Sequence, residues 1–188
     1  GDHGFVALGR CPTLESIASR VCRWMTDLGF AAIAHLPRLH RLALGGPRIS
    51  DAAMAHLADA PALTDLGPIM FGDAAFEHIA KMPRLERLTN MYNRSTGDGA
   101  TRFLHAHPTL VYYGAFGTQI TDESLRILAS CSRLEEAAFS NCDYITDEGM
   151  RALAEMPALR RVSTGSCLRV TGAWLTSMPA GVAARDDG

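Results

Sequence analysis

Residues 134–159 read Leu134-Glu-Glu-Ala137-Ala-Phe139-Ser-Asn-Cys142-Asp-Tyr-Ile-Thr146-Asp147-Glu-Gly-Met150-Arg-Ala-Leu153-Ala154-Glu-Met-Pro157-Ala-Leu159. Apolar residues at Leu134, Ala137 and Phe139 fit a short half-buried strand, because alternate side chains of a strand share a face. Thr146-Asp147 stands immediately before Met150, Leu153 and Ala154, which share one face at helical spacing. A Thr or Ser with Asp at the start of such a run is the chemistry of a helix N-terminus. Pro157 cannot continue a helix and stops it. The stretch is therefore one strand and one short helix, with the next leucine beginning the unit again.

The unit recurs along the whole chain. A Pro-x-Leu mark ends at Leu14, Leu39, Leu63, Leu85, Leu110 and Leu159, and Ser132-Arg133-Leu134 fills the remaining place without the proline. The seven leucines are spaced by 25, 24, 22, 25, 24 and 25 residues. A second mark keeps step with the first: Thr26-Asp27, Ser50-Asp51, Gly72-Asp73, Gly97-Asp98, Thr121-Asp122 and Thr146-Asp147, with Thr171-Gly172 closing the series. Eight positions after the leucine come Cys22, Asn93, Cys142 and Cys167. The sum is the L-x-x-L-x-L-x-x-N/C pattern of an α/β solenoid, a horseshoe arc of parallel strands with short helices on its convex side.

The string Cys142 to Ala154 resembles the cysteine-containing leucine-rich repeats of F-box proteins. It is also similar to the Gly-Ala-Leu-Ala repeats of bacterial effectors that act as F-box proteins, and the period near 24 lies closer to that bacterial type. The resemblance implies a protein-binding scaffold. In its sharper form it implies the substrate-receptor part of a ubiquitin-ligase subunit, which would need an F-box that this sequence does not display. A second reading is a regulatory domain whose catalytic part lies upstream.

Some positions depart from the pattern. Ser19, Asn90 and Thr164 occupy a strand position that should be buried, and Pro68 occupies it in a repeat that is two residues short, so an irregular central arc is expected. Gly1 to Leu14 aligns without gaps on Thr146 to Leu159, so the array of about seven repeats, residues 1–182, is expected to begin mid-repeat and to belong to a larger protein. Residues 183–188 read as a polar tail.

Strand positions between the buried leucines face outward on the concave side. In the middle repeats they include Met70, Met91, Tyr92, Tyr112 and Phe116, an expected apolar and aromatic patch rimmed by Arg41, Asp65, Arg87, Glu136 and Arg161. Aromatic and arginine side chains dominate protein-binding hot spots, so these ten residues are the candidate partner-binding site.

Other chemistry is poorly supplied. A net charge of −2 and a pI near 6.4 give no basic surface for nucleic acid or an anionic membrane. Hydrophobic residues make up 47% of the chain, enough for a core, yet no apolar run is long enough to span a bilayer. Cys11, Cys22, Cys131, Cys142 and Cys167 are odd in number and lack C-x-x-C pairing, which reads as free thiols in the cytoplasm. They sit at equivalent repeat positions, as structural residues do. His105-x-His107 could begin a metal site but has no third ligand, so both are expected to be surface histidines at a helix end. No cofactor, metal, catalytic residue or small-molecule substrate is expected.

Overall fold

The computed structural model describes residues 1–187. Eight parallel strands form one open sheet in sequential order: β1 (Ser16–Ala18), β2 (Arg41–Gly45), β3 (Asp65–Ile69), β4 (Arg87–Met91), β5 (Tyr112–Phe116), β6 (Glu136–Ser140), β7 (Arg161–Gly165) and β8 (Ala183–Asp186). The helices are α1 (Asp2–Leu8), α2 (Asp27–Ala34), α3 (Ala75–Ile79), α4 (Asp98–Arg102), α5 (Asp122–Leu128) and α6 (Asp147–Ala152). Residues Asp51–Leu57 and Ala173–Ser177 form 3-10 turns in place of α-helices.

The core lies between the sheet and the helices, and its columns run from repeat to repeat. Leu39, Leu63, Leu85, Leu110, Leu134 and Leu159 are buried in one column. Ile17, Leu42, Leu66, Leu88, Tyr113, Ala137 and Val162 form the next. Large and small residues trade places between neighbouring repeats. Tyr113 pairs across the sheet with Ala137, Ala115 pairs with Phe139, and the two rings pack with centroids 6.4 Å apart. Such exchange keeps the interior close-packed.

What joins the repeats at their helix ends is a chain of carboxylates. Asp122 accepts the Thr146 backbone N–H at 2.7 Å and the Thr146 hydroxyl at 2.7 Å. Asp2 does the same for Thr26, Asp27 for Ser50, Asp98 for Thr121 and Asp147 for Thr171. Where glycine replaces the hydroxyl residue, only the N–H remains: Gly72 donates to Asp51 and Gly97 to Asp73. Thr26, Thr121 and Thr146 in turn cap their own helices by accepting from Leu28, Glu123 and Glu148. The Thr-Asp pair therefore has two jobs: the threonine caps its helix as expected, and the aspartate reaches one repeat onward.

Three of these carboxylates, Asp2, Asp98 and Asp147, are held ionised by their donors. Burial opposes ionisation of Asp98, but the Ser124 hydroxyl and the Thr121 N–H and hydroxyl outweigh it and lower its pKa. Burial likewise opposes ionisation of Asp147, and the donors from Thr171 prevail. Asp2 is lowered first by the Thr26 N–H. A carboxyl whose pKa is lower folded than unfolded stabilises above its unfolded value near 3.8 and loses that contribution as pH falls below it.

The departures are absorbed locally. Pro68 has no N–H, and β3 pairs with β4 at Asp65, Leu66 and Ile69 but not at the positions between. The Asn93 amide donates to the Pro68 carbonyl at 3.1 Å and accepts the Phe71 N–H at 3.1 Å, so a side chain supplies what the ladder lacks. Asn90 is fully buried because Thr96 accepts its amide at 3.1 Å and Asn93 donates to its oxygen. Thr164, also buried, donates to Asp186 at 2.9 Å. Ser19 is exposed.

Two expectations are corrected. Residues 183–186 are not a tail: they form β8, with the Ala183 N–H donating to Arg160 at 2.8 Å and that of Asp187 to Thr164 at 2.8 Å. Backbone pairing needs no apolar sequence, and charged residues suit a strand at a sheet edge. Gly188, the last residue of the expected tail, lies outside the described residues. His107 is not a surface histidine. It is 3% exposed, in the repeat position held by Leu36, Met82, Cys131 and Met156, and its Nε2 has no partner.

Replacing Asp122 by Ala leaves the Thr146 N–H without its acceptor. The loss in urea unfolding is expected at about 1–3 kcal/mol, as for a stripped buried hydrogen bond, whereas an aspartate serving only as a charge near a helix end is worth about 0.3–1 kcal/mol. A loss within the smaller range counts against the inter-repeat role. Burial lowers the pKa of His107 from the usual 6.5. Its neutral form then stabilises above pH 6.5, and acidification below that value erodes stability because only the unfolded chain takes the proton. In His107→Met, stability is expected to be equal or greater at pH 7. The gap over wild type should widen as pH falls from 6.5 to 5, followed by thermal melts across that range, and a constant gap would contradict this.

Candidate interaction surface

The sheet register places the candidate residues in rows. Arg41, Asp65, Arg87, Tyr112, Glu136 and Arg161 are aligned partners across β2 to β7. Six of the ten candidates thus form one line along the first residues of the strands. They are one edge of the concave face, where a surrounding rim was expected. Their charges are largely matched: Arg41 lies 3.5 Å from Asp65, Arg161 lies 2.7 Å from Glu136, and the Arg87 guanidinium sits 4.1 Å over the Tyr112 ring. These ion pairs are exposed and contribute little to stability. Burial raises the Tyr112 pKa, and Arg87 partly opposes it.

A second row holds Met91 and Phe116, aligned with each other and with Ile69. Between the rows runs a line of small residues, including Ala43, Gly67, Thr89, Gly114 and Ala138. At Gly114 the absence of a side chain is used: a Cβ there would lie 2.7 Å from the Tyr112 hydroxyl and 2.8 Å from the Phe116 ring. Both aromatic side chains fold over this glycine from opposite rows, and both are half-buried.

Met70 and Tyr92 lie apart from the rows. Each follows the last residue of its strand, in the turn that leaves the sheet, and each has a left-handed backbone, φ 64° and 54°. The equivalent residues of the next three repeats are Gly117 (φ 66°), Asn141 (φ 52°) and Ser166 (φ 51°). Glycine takes this conformation at no steric cost and asparagine at little. Methionine and tyrosine are strained by it, at about 1–2 kcal/mol each, and yet stand 44% and 71% exposed.

Tyr92 opens onto a groove of about 480 Å³ along this rim, lined also by Arg94, Gly117, Gln119, Asn141 and Tyr144. Tyr144 is 49% exposed, with Arg169 stacked 5.9 Å from its ring centre. Arg94, Tyr144 and exposed Trp24 were not among the candidates, because they fall in the turns beyond the strands where the repeat pattern assigns no face. Their exposure is the only signal, and exposure is not written in the sequence.

The cysteines do a repeat's work. Cys142 Sγ lies 3.4 Å from the Ala115 carbonyl and 3.4 Å from the Thr118 hydroxyl, and Cys131 donates to the Leu104 carbonyl. Burial raises the Cys131 pKa. The neighbouring Cys167 thiol favours ionisation of Cys142, and Cys142 with burial holds Cys167 protonated. Among the described residues no three His, Cys, Asp or Glu side chains group as metal ligands, and no helix is long and apolar enough to cross a membrane.

No sequence-family model matches the chain, and no curated protein is similar to it in sequence. Solved structures are similar. Internalin C2 from Listeria monocytogenes superposes with a TM-score of 0.60 at 21% identity, over 97% of this chain and 74% of that one. The fold is a leucine-rich-repeat solenoid. In the yeast Rad7 and Elc1 complex, the similar chain gives a TM-score of 0.60 at 16% identity and takes in 100% of this chain, which spans 60% of its length. Likeness at these identities reaches the fold of the leucine-rich-repeat array and stops there.

Proposed function

We propose that this leucine-rich-repeat array is a non-catalytic protein-interaction module of a larger cytoplasmic polypeptide. On this reading it binds a partner on the concave face and the adjoining turn rim, through Met70, Met91, Tyr92, Tyr112 and Phe116. The observation that carries the reading is the strain at Met70 and Tyr92. The three repeats that follow meet the same left-handed turn with glycine, asparagine or serine, while these two repeats hold a bulky apolar side chain out into water. Neither side chain belongs to the buried core, and residues that cost stability are kept where a surface needs them. Tyrosine is also among the commonest binding anchors. The solved structure of one similar chain is of a complex, that of Rad7 and Elc1, which accords with a binding role.

The test is capture from a lysate of the source organism on immobilised chain, wild type beside Met70→Gly/Tyr92→Gly. Glycine relieves the backbone at both positions, so the variant is expected to melt at the wild-type temperature or a few degrees above it. A partner retained by wild type should be depleted at least tenfold on the variant. Equal retention would place the binding surface elsewhere, and a lower melting temperature would show that the side chains serve the fold.

A further inference from the structure

The turn rim carries a charge pattern that the concave rows lack. In the concave rows arginines are matched by Asp65, Glu136 or the Tyr112 ring. Two residues beyond the left-handed turn position, successive repeats place Arg23, Arg48, Gly72 and Arg94, and all three arginines are exposed. Among the described residues none of the three makes an ion pair. The carboxylates that follow them in sequence, Asp27, Asp51 and Asp98, are turned onto the next repeat's backbone N–H groups.

Large apolar side chains alternate with these arginines. Trp24 is 71% exposed beside Arg23, where the two line a groove of about 310 Å³. Tyr92 and Arg94 line the larger groove three repeats on. Met70 is exposed between them, in the repeat where glycine replaces the arginine. The rim therefore has two ends, each with one ring and one guanidinium, and Arg48 and Met70 between. Three strand steps of about 4.8 Å separate the ends, or about 14 Å, which four or five extended residues span. Trp, Tyr and Arg are the side chains that anchor interfaces, and an unmatched positive line in a chain of net charge −2 selects for negative charge.

We propose that this rim, from Arg23 and Trp24 through Arg48 and Met70 to Tyr92 and Arg94, docks an extended acidic segment of the protein partner whose aromatic or aliphatic residues seat at Trp24 and Tyr92. The proposal rests on the interaction reading above and adds the partner's chemistry to it. The arginines take the segment's carboxylates, and the two grooves take its apolar side chains. A single-stranded nucleic acid also offers negative charge and flat rings. Asp143, exposed on the same rim, and the carboxylates of the adjoining concave row make the surface less hospitable to a continuous phosphate chain.

The test uses a twelve-residue peptide of Glu and Asp with two Phe four residues apart, against three controls: the same peptide with Lys for the acids, the acidic peptide with Ala for Phe, and a twelve-nucleotide oligothymidylate. Trp24 reports binding by its fluorescence, since the other tryptophan, Trp174, is fully buried. The acidic Phe peptide is expected to bind at micromolar to millimolar concentration and to weaken at least tenfold between 50 and 500 mM salt. It should also weaken at least tenfold in Arg23→Glu/Arg48→Glu/Arg94→Glu, a variant whose thermal melt should match wild type because the three side chains have no partners to lose. Three results would overturn the proposal: no binding of the acidic Phe peptide, equal binding to the charge-reversed variant, or tighter binding of the oligothymidylate. If the charge-reversed variant melts early, Arg48→Gln alone, with its salt dependence, decides in its place. A partner still captured through Met70 and Tyr92 while the acidic peptide fails would sink this inference and leave the broader reading standing.

Discussion

A carboxylate that reaches from one repeat to the backbone of the next is the contact on which this molecule depends. An array of repeats has no central core. Each repeat is stable only through its neighbours, so whatever fixes one repeat against the next fixes the whole. The strands do this on one side with backbone hydrogen bonds, and the leucine columns do it in between. On the helix side nothing in a run of short helices would set their stagger. The series Asp2, Asp27, Asp51, Asp73, Asp98, Asp122 and Asp147 supplies that register, one carboxylate per step. It also explains Gly149, where a Cβ would lie 2.2 Å from Asp122 Oδ1: the helix must leave room for the carboxylate that docks on its first turn.

With both sides registered, the exposed surfaces follow by translation. One strand position repeated seven times becomes a row, and the rows differ in what they can do. In the row from Arg41 to Arg161 each arginine has a neighbour on its own line, two of them a carboxylate and Arg87 the Tyr112 ring. The turn rim is not matched, and it carries two large side chains at a backbone geometry they dislike. Repetition makes the contrast visible: Gly117 and Asn141 show what the turn requires, and Met70 and Tyr92 show a departure from it.

The period of the leucines was enough to derive the strands, their parallel order and the rows, because side-chain alternation is rigid once the register is known. The same reasoning aligned Arg41, Asp65, Arg87, Tyr112, Glu136 and Arg161 without being able to say that they pair along their own line. The aspartates show where local reading ends. Thr-Asp before a helix is fully accounted for by capping, so nothing in one repeat announces that the carboxylate's partner lies 21 to 24 residues onward. His107 was misplaced for a related reason: a polar residue near a helix end is ordinarily exposed, and only its alignment with Leu36, Met82, Cys131 and Met156 shows that the position is buried. The final strand was missed because its pairing is made by backbone atoms, to which Ala183-Ala-Arg-Asp186 gives no side-chain clue.

Amide hydrogen exchange at the helix starts tests the central claim most directly. The first N–H groups of a helix have no partner within it and ordinarily exchange freely. If the carboxylates join the repeats, the amides of Thr26, Ser50, Gly72, Gly97, Thr121, Thr146 and Thr171 should be protected at neutral pH to a degree approaching the strand amides. Exchange at those seven amides as fast as at exposed turns would show that the carboxylates are ordinary helix-end charges, and that the repeats are held in register by the sheet and the leucine columns alone.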